Sequence, residues 1–283
     1  MGIKHIATYD MPTKNDFPKN KLHWQIDPDK AVLLIHDMQK YFLGFFDQDS
    51  TLIQTLISHI AELKRWAVNH NIPVIYTAQP HEQTFDQRGL LSDLWGDGIT
   101  AAPVAQQYIH DDITPDVDDI IIDKWRYSAF ERSNLYQTLK NWDRDQLLIT
   151  GVYAHIGCTV TAINAFMQDI KPFLIADALG DFSLQKHLLA LDYVANTGGM
   201  VVGTQDVITS QNNRVSGQWL KDKVMALLGE ETDIDPNESL IMYGLDSLKI
   251  MQLSADLQAI GKKIGFEKLG INPTLNNWLK LIK

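Results

Sequence analysis

The sequence predicts an α/β fold, in which a Rossmann-like, open, parallel six-stranded sheet carries helices on both faces, followed by a small C-terminal all-α bundle. Six short apolar runs lie between residues 31 and 202, helical patterns separate these runs, and further helical patterns follow a polar stretch. The runs are continuously apolar rather than alternating, which is typical of parallel strands covered on both faces. We therefore predict a domain over residues 1–208, a linker over 209–217 and a second domain over 218–283.

The predicted elements alternate along the large domain in a βαβα order, which favours an open parallel sheet. The predicted strands are 31–35, 74–77, 120–122, 147–150, 173–176 and 200–202. Leu52, Ile53, Leu56, Ile57, Ile60 and Leu63 recur at helical spacing after the first strand, and helical patterns also cover 133–141, 158–169 and 185–196. In the C-terminal part, the pattern predicts helices over 219–228, 247–260 and 274–282, with a long loop up to residue 236.

Composition excludes several classes of function. The 283 residues are 45% apolar and 21% charged, as in ordinary globular proteins, and the net charge of −10 argues against a nucleic-acid partner. No apolar run is long enough to span a membrane, and the first residues lack the apolar stretch of a secretory signal, so we expect a cytoplasmic protein without a membrane partner. The single cysteine, Cys158, cannot form an internal disulfide or a cysteine-rich zinc site.

Polar residues follow four of the predicted strands, at the sheet edge where parallel α/β proteins bind their ligands. Asp37 follows the first strand, Gln79 the second, Lys124 the third and Tyr153 the fourth. Each can be explained singly as a loop residue, or in the case of Asp37 as a helix N-cap. Together they predict a pocket at this edge of the sheet.

Near the C-terminus, the residues Gly-Leu-Asp-Ser at 244–247 precede a helical pattern and place a hydroxyl at its beginning. No neighbouring general base is evident for Ser247, although a nucleophilic serine needs one. A helix N-cap is one interpretation, because serine is common there. The other is a modification site, because the tetrapeptide resembles the phosphopantetheine attachment site of acyl, peptidyl and aryl carrier proteins, and 272–275 resembles the beginning of their last helix.

Four segments of the large domain resemble the isochorismatase family. They are Leu-Ile-His-Asp-Met-Gln at 34–39, Tyr-Thr-Ala-Gln-Pro at 76–80, Lys-Trp-Arg-Tyr-Ser-Ala-Phe at 124–130 and Gly-Val-Tyr-Ala-His-Ile-Gly-Cys at 151–158. With the carrier-like tail, the whole chain is similar to the bifunctional isochorismatase and aryl carrier proteins of catechol siderophore biosynthesis. The resemblance implies hydrolysis of the enolpyruvyl ether of isochorismate to pyruvate and 2,3-dihydro-2,3-dihydroxybenzoate.

The resemblance also implies roles for individual residues. Asp37 is the expected general acid for non-covalent ether cleavage. Lys124 is expected either to orient Asp37 or to contact substrate oxygens, and to stabilise the aspartate after proton transfer. Gly157 is the third catalytic candidate, because a residue without a side chain lets the substrate approach the backbone. The expected substrate-binding residues are Gln79 and Arg88 for a carboxylate, Tyr153 for the enolpyruvyl end, and Phe42 and Trp95 for the ring. The two aromatic residues can equally be ordinary core residues.

The wider superfamily includes cysteine hydrolases such as nicotinamidases, which leaves a cysteine-dependent amidohydrolase as an alternative. Gly157 aligns with their nucleophilic cysteine, whereas Cys158 comes one residue later and is expected to pack inside. Their metal-binding histidines have no evident counterpart after the second strand, although His81 lies nearby, so we expect no metal. We interpret His36 and His155 as structural. A third interpretation is a catalytically silent carrier or assembly protein.

For the C-terminal domain, the resemblance implies a covalent 4'-phosphopantetheine on Ser247 that carries 2,3-dihydroxybenzoate as a thioester. The implied partners are a phosphopantetheinyl transferase, a 2,3-dihydroxybenzoate-adenylating ligase and a nonribosomal peptide synthetase condensation domain. Ile250, Met251 and Phe266 are candidate docking contacts, although each can instead belong to the bundle core. Asp246 is expected to face the transferase, or otherwise to serve as an N-terminal helix charge. An exposed face of the large domain can also support a homodimer.

Overall fold

The computed structural model describes residues 2–209, 217–229, 234–259, 262 and 264–282. The chain divides into two compact units, residues 1–208 and residues 209–283. Thr209 ends the last helix of the first unit, and Gly217 begins the first helix of the second. The remainder of the predicted linker, 210–216, lies outside the described residues.

The large unit contains a six-stranded, wholly parallel sheet, which confirms the predicted fold class. Its strands are β1 (Ala31–His36), β2 (Val74–Ala78), β3 (Ile120–Asp123), β4 (Gln146–Val152), β5 (Lys171–Gly180) and β6 (Met200–Val202). Their order in the sheet is β3-β2-β1-β4-β5-β6. Five of the six strands extend beyond the predicted runs, by one residue in β1, β2 and β3, by three in β4 and by six in β5, because ladder hydrogen bonds continue past the apolar runs.

Helices cover both faces of this sheet. They are α1 (Lys40–Leu43), α2 (Thr51–Asn69), α3 (Phe85–Arg88), α4 (Leu91–Trp95), α5 (Leu135–Asn141), α6 (Thr159–Met167), α7 (Leu184–Thr197) and α8 (Thr204–Thr209). Leu33 and Ile35 of β1 point into the core shared with α2, whereas Val32 and Leu34 point into the core shared with α5, α6 and α7. The single-turn helices α1, α3 and α4 were missed, because one turn is too short to show an amphipathic period.

The small unit is a helical bundle, as the sequence predicts. Its helices are α9 (Gly217–Leu228), α10 (Ser247–Ala259), α11 (Phe266–Ile271) and α12 (Leu275–Ile282), and their apolar sides pack around the fully buried Trp278. The short helix α11 was not predicted, since Leu269 is its one buried residue. In the described part of the chain, no helix is both long and apolar enough to cross a membrane.

The sheet order fixes where a ligand can bind. The chain builds the sheet outwards from β1 to β3 and then returns to place β4 on the other side of β1. The carboxyl ends of β1 and β4 therefore form the topological switch point, where open α/β sheets leave a crevice.

Candidate active site

Asp37, the first residue after β1, lies at this switch point with a left-handed backbone (φ 51°) and a buried side chain. The Thr77 hydroxyl on β2 donates to Asp37 Oδ1 at 2.6 Å, and Lys124 Nζ lies 2.6 Å from Oδ2. Lys124 is itself buried, and its backbone N–H donates to Ala78 O, which extends the pairing of β2 and β3 by one residue. The side chains of Asp37 and Lys124 thus form an ion pair in which both partners are largely buried.

Gly157 lies in a π-helical turn, Ala154–Cys158, that follows β4. A Cβ atom at this position would overlap the ring of His36, which is fully buried. His36 Nδ1 lies 2.9 Å from Val152 O, and burial lowers the pKa of the imidazole. The His36 ring therefore fills the direction in which a side chain would project, while Gly157 itself lines the cleft, so the approach of the substrate to its backbone stays a prediction.

Cys158 points the other way. Its side chain is fully buried in the core between the sheet and helices α5, α6 and α7. Burial also raises the pKa of this thiol well above its ordinary value. A neutral thiol enclosed by apolar side chains lacks the exposure and thiolate character of a nucleophile.

A cleft opens at the switch point and brings the predicted site residues together. It is lined by Asp37, Phe42, Gln79, Arg88, Trp95, Lys124, Tyr153 and Gly157, with Ile3, Tyr41, Leu91, Gly98, Ile99, Tyr127, Val152, Ile156 and Phe182. The cleft holds about 570 Å³ of empty space including its open mouth.

Gln79 is held through its backbone by a residue that the sequence did not single out. The amide of the fully buried Gln39 accepts from Gln79 N–H at 2.7 Å and donates to Gln79 O at 2.9 Å and to Gln107 O at 2.7 Å. The Gln39 amide thus bonds both the N–H and the C=O of Gln79, as a neighbouring strand would, and fixes the backbone after β2. The side chain of Gln79 is therefore presented to the cleft from a rigid backbone.

Arg88, the last residue of α3, supplies a buried positive charge. Its Nε donates to Gly96 O at 2.7 Å, whereas its Nη1 is buried without a hydrogen-bond partner. Burial lowers the pKa of this guanidinium. A buried cation with an unused hydrogen-bond donor binds an anionic ligand more strongly than a solvent-exposed cation does.

Aromatic side chains form one wall of the cleft. Phe182, which the sequence did not identify, packs against Tyr153 and Trp95, with ring centroids 4.6 Å and 6.2 Å apart. The Tyr153 hydroxyl donates to Phe42 O at 2.7 Å, and burial raises the pKa of Tyr153 well above its ordinary value. Since its proton is already donated to the protein, Tyr153 offers a ligand its ring and a hydroxyl oxygen that can only accept. Trp95 is fixed in turn by its Nε1–H, which donates to Tyr127 Oη at 2.7 Å.

The two remaining histidines of interest bond within the protein. His155 Nδ1 lies 2.5 Å from the buried carboxylate of Asp181, which also accepts from the backbone N–H of His155. His81 Nε2 lies 2.8 Å from Ala102 O. Across the residues that the structure describes, no group of three or more histidine, cysteine or acidic side chains could hold a metal ion.

In the small unit, α10 begins at Ser247, and Gly244 before it adopts a left-handed conformation (φ 85°). The carboxylate of Asp246 accepts from Lys249 N–H at 2.8 Å, so Asp246, not Ser247, caps this helix. Ser247 is exposed. Ile250 is buried in the bundle core and is therefore not a docking contact. The other two candidate docking residues are exposed, Met251 by 57% and Phe266 by 39%.

The comparisons with known proteins agree with this geometry. Residues 31–206 match the model of the isochorismatase domain. The chain belongs to the isochorismatase family. Residues 218–282 match the model of the phosphopantetheine attachment site. The predicted family, the parallel fold and a covalent phosphopantetheine group are thereby confirmed, and the chain is an isochorismatase joined to a carrier domain.

Individual relatives cover the whole chain. It is 46% identical to the enterobactin synthase component B of Escherichia coli (strain K12), over 100% of this chain and 98% of that protein. It is 42% identical to the isochorismatase of Bacillus subtilis (strain 168), over 100% and 96%. A cysteine hydrolase structure from Pseudomonas syringae pv. phaseolicola 1448A covers 69% of this chain and 97% of its own, with a TM-score of 0.62 and 22% identity, a likeness of fold alone.

Proposed function

We propose that the large unit hydrolyses isochorismate to pyruvate and 2,3-dihydro-2,3-dihydroxybenzoate by non-covalent general acid catalysis. The observation that carries this proposal is the buried Asp37, which is held between Thr77 and Lys124 and lines the aromatic cleft. An enol ether needs a proton donor and a water molecule for its cleavage, and it needs no nucleophile from the protein. The site offers this donor in rigid surroundings.

The reaction begins when Asp37 transfers its proton to the terminal methylene carbon of the enolpyruvyl group. The carbon attached to the ether oxygen becomes an oxocarbenium centre, and water adds there. One proton of the added water restores the acid, which leaves a neutral hemiketal. The bond between the hemiketal carbon and the former ether oxygen then breaks, and the hemiketal hydroxyl proton passes to that oxygen, which gives pyruvate and the dihydrodiol. Once Asp37 has given up its proton, its carboxylate is stabilised by Lys124 Nζ, which lies 2.6 Å from Asp37 Oδ2 in the free protein.

Lys124 can also contact the substrate, because the oxygens of a bound dianion offer its ammonium group a second partner. The Thr77 hydroxyl, which donates to Asp37 Oδ1 at 2.6 Å, meanwhile holds the carboxyl group in place.

Recognition of the dianion rests on Arg88 and Gln79. Arg88 brings a buried guanidinium with an unused Nη1 donor, and Gln79 brings an amide on a backbone fixed by Gln39. We propose that they hold a substrate carboxylate, while the rings of Phe42 and Trp95 pack against the cyclohexadiene. The buried Cys158 argues against the alternative thiol route.

The first experiment compares Asp37→Asn with Asp123→Asn in a pyruvate assay coupled to lactate dehydrogenase. Both change a carboxylate at the carboxyl end of a strand, but Asp123 is exposed and does not line the cleft. We expect Asp37→Asn to lose at least about 100-fold in kcat, the lower end of general acid contributions. Asp123→Asn is expected to keep full activity. Pyruvate release at the wild-type rate from Asp37→Asn would remove Asp37 as the acid.

We propose that the C-terminal domain carries 2,3-dihydroxybenzoate as a thioester on the phosphopantetheine of Ser247, for siderophore assembly by a nonribosomal peptide synthetase. The exposed Ser247 beside an exposed Met251 and a partly exposed Phe266 supports docking of successive partner enzymes. These are a phosphopantetheinyl transferase, an aryl-adenylating ligase and a condensation domain. We further propose that the protein acts in the cytoplasm, where coenzyme A and ATP are available, as a homodimer through its large unit.

Intact mass spectrometry tests the carrier role. The full chain is treated with coenzyme A and a phosphopantetheinyl transferase, and then with 2,3-dihydroxybenzoate, ATP and the ligase. We expect two successive mass increases in the wild type and in Ser239→Ala, a nearby serine at a helical turn, and none in Ser247→Ala. A mass increase that persists in Ser247→Ala would place the attachment elsewhere.

A further inference from the structure

The Arg88 guanidinium sits in a short loop that follows α4, the segment Gly96–Gly98, which we call the Arg88 cradle. The cradle holds the side chain at one end through the hydrogen bond from Arg88 Nε to Gly96 O, at 2.7 Å. The other end of the guanidinium lies over Gly98. Both glycines have left-handed backbones, with φ of 63° and 58°.

Gly98 leaves room that no other residue would leave. A Cβ atom there would overlap Arg88 Nη2 and would lie 2.8 Å from Cζ and 3.1 Å from Nη1. The guanidinium therefore occupies the volume of the missing side chain. A Cβ on Gly96, by contrast, would meet nothing within 4 Å.

The cradle leaves Arg88 with an unused donor. Nε is satisfied by Gly96 O, but the buried Nη1 has no hydrogen-bond partner among the residues that the structure describes. A buried donor left unpaired is unfavourable, and an anion in the cleft would relieve it. Since Arg88 and Gly98 both line the cleft, the cradle holds the guanidinium where its unused donor can bind a ligand.

We propose that Gly98 is a positioning residue for recognition of the substrate carboxylate, because it admits the Arg88 guanidinium to the place from which the anion is bound. This inference rests on the proposed role of Arg88. It extends that role to the Gly96–Gly98 loop, which touches Arg88 directly.

The kind of neighbour determines what a substitution at Gly98 changes. The atoms that a Cβ would meet belong to the far end of a long, flexible side chain, which can swing aside. Gly98→Ala should therefore displace the guanidinium and affect substrate binding much more than thermal stability. The positive φ adds a modest strain of its own, and Gly229→Ala measures that strain separately, because Gly229 in the small unit has φ 77° and open space around it.

The experiment measures kcat and KM for isochorismate in the full chain with Gly98→Ala, Arg88→Met, the double variant and Gly229→Ala. A charge-assisted hydrogen bond contributes about 1.5–3 kcal/mol, and 1.4 kcal/mol corresponds to a factor of ten. We expect Gly98→Ala and Arg88→Met each to lower kcat/KM by roughly 10- to 100-fold, mainly through KM. The double variant should resemble Arg88→Met alone, and Gly229→Ala should resemble the wild type.

The double variant separates positioning from general damage to the loop. If Gly98→Ala lowers kcat/KM by the same factor with and without the guanidinium, the cradle does not act through Arg88 and the inference is wrong. Wild-type kinetics of Gly98→Ala beside a defective Arg88→Met would also overturn it, while leaving the proposed function intact. Wild-type kinetics of Arg88→Met would instead remove the proposed role of Arg88, and the inference with it.

Discussion

The contact between Gly157 and His36 allows a prediction in which one substitution reverses the effect of another. Gly157→Ala introduces a methyl group into the ring of a fully buried histidine. This ring cannot swing aside easily, because its Nδ1 is held 2.9 Å from Val152 O and its position is enclosed by the core. The alanine should therefore destabilise the large unit.

The magnitude follows from packing. Overpacking a core by one methyl group typically costs about 1–3 kcal/mol. In a domain of about 200 residues, each kcal/mol lowers Tm by roughly 2–4 °C. Truncation by His36→Ala is itself destabilising because it leaves a cavity, but it removes the atoms that the new methyl group would meet. In the His36→Ala background, Gly157→Ala should thus be neutral or stabilising, which gives a coupling energy of about 1–3 kcal/mol.

Calorimetric unfolding of the four full-length proteins (wild type, both single variants and the double variant) provides this cycle. The C-terminal unit serves as an internal reference, because neither residue belongs to it. Reversal of the sign of the Gly157→Ala effect would support the steric account of the glycine. An equal loss of Tm in both backgrounds would refute it.

Three further predictions concern other parts of the molecule. Iodoacetamide should modify native Cys158 slowly and leave pyruvate release unimpaired once the thiol is labelled, because the thiol is buried and its pKa raised; inactivation in step with labelling would support the thiol route. Burial lowers the pKa of His187, as it does that of His36, so the unfolded chain binds protons more readily at both sites, and the free energy of unfolding should fall as pH drops below about 6.5, by up to about 1.4 kcal/mol per pH unit for each histidine. His187→Asn should reduce this slope in urea titrations by the share of one histidine, and an unchanged slope would exclude His187 as a contributor. Asp246→Ala should remove about 1 kcal/mol of stability from the small unit by loss of its cap, seen as a lower Tm of that unit alone; an unchanged Tm would show that the cap is dispensable.

The strands and the position of the cleft could be predicted from the sequence because both depend on local patterns. Continuous apolar runs mark buried parallel strands, and Asp37 and Lys124 stand out as polar residues immediately after such runs. Thr77 and Gln39 could not be found in this way. Thr77 lies within a strand and resembles a core residue, and its role appears only when β1 and β2 pair.

Glycines show a second limit of sequence patterns. The sequence singles out Gly157 but not Gly98, and in both cases the reason for a glycine lies in a distant side chain: Arg88 is 10 positions from Gly98, and His36 is 121 positions from Gly157. A pattern along the chain cannot name the atom that fills a missing side chain. Ser247 was ambiguous for a related reason, because a serine that caps a helix and a serine that carries a modification occupy the same position in the local pattern.

The cap on α10 has a consequence for how the carrier domain is used. Asp246 holds the first turn of the helix, so the Ser247 hydroxyl is not required for that purpose. Converting this hydroxyl to a phosphodiester therefore breaks no contact on which the cap depends. The unmodified and the pantetheinylated forms can therefore share one scaffold, and the attached group itself, rather than a change in the protein's fold, is what distinguishes them.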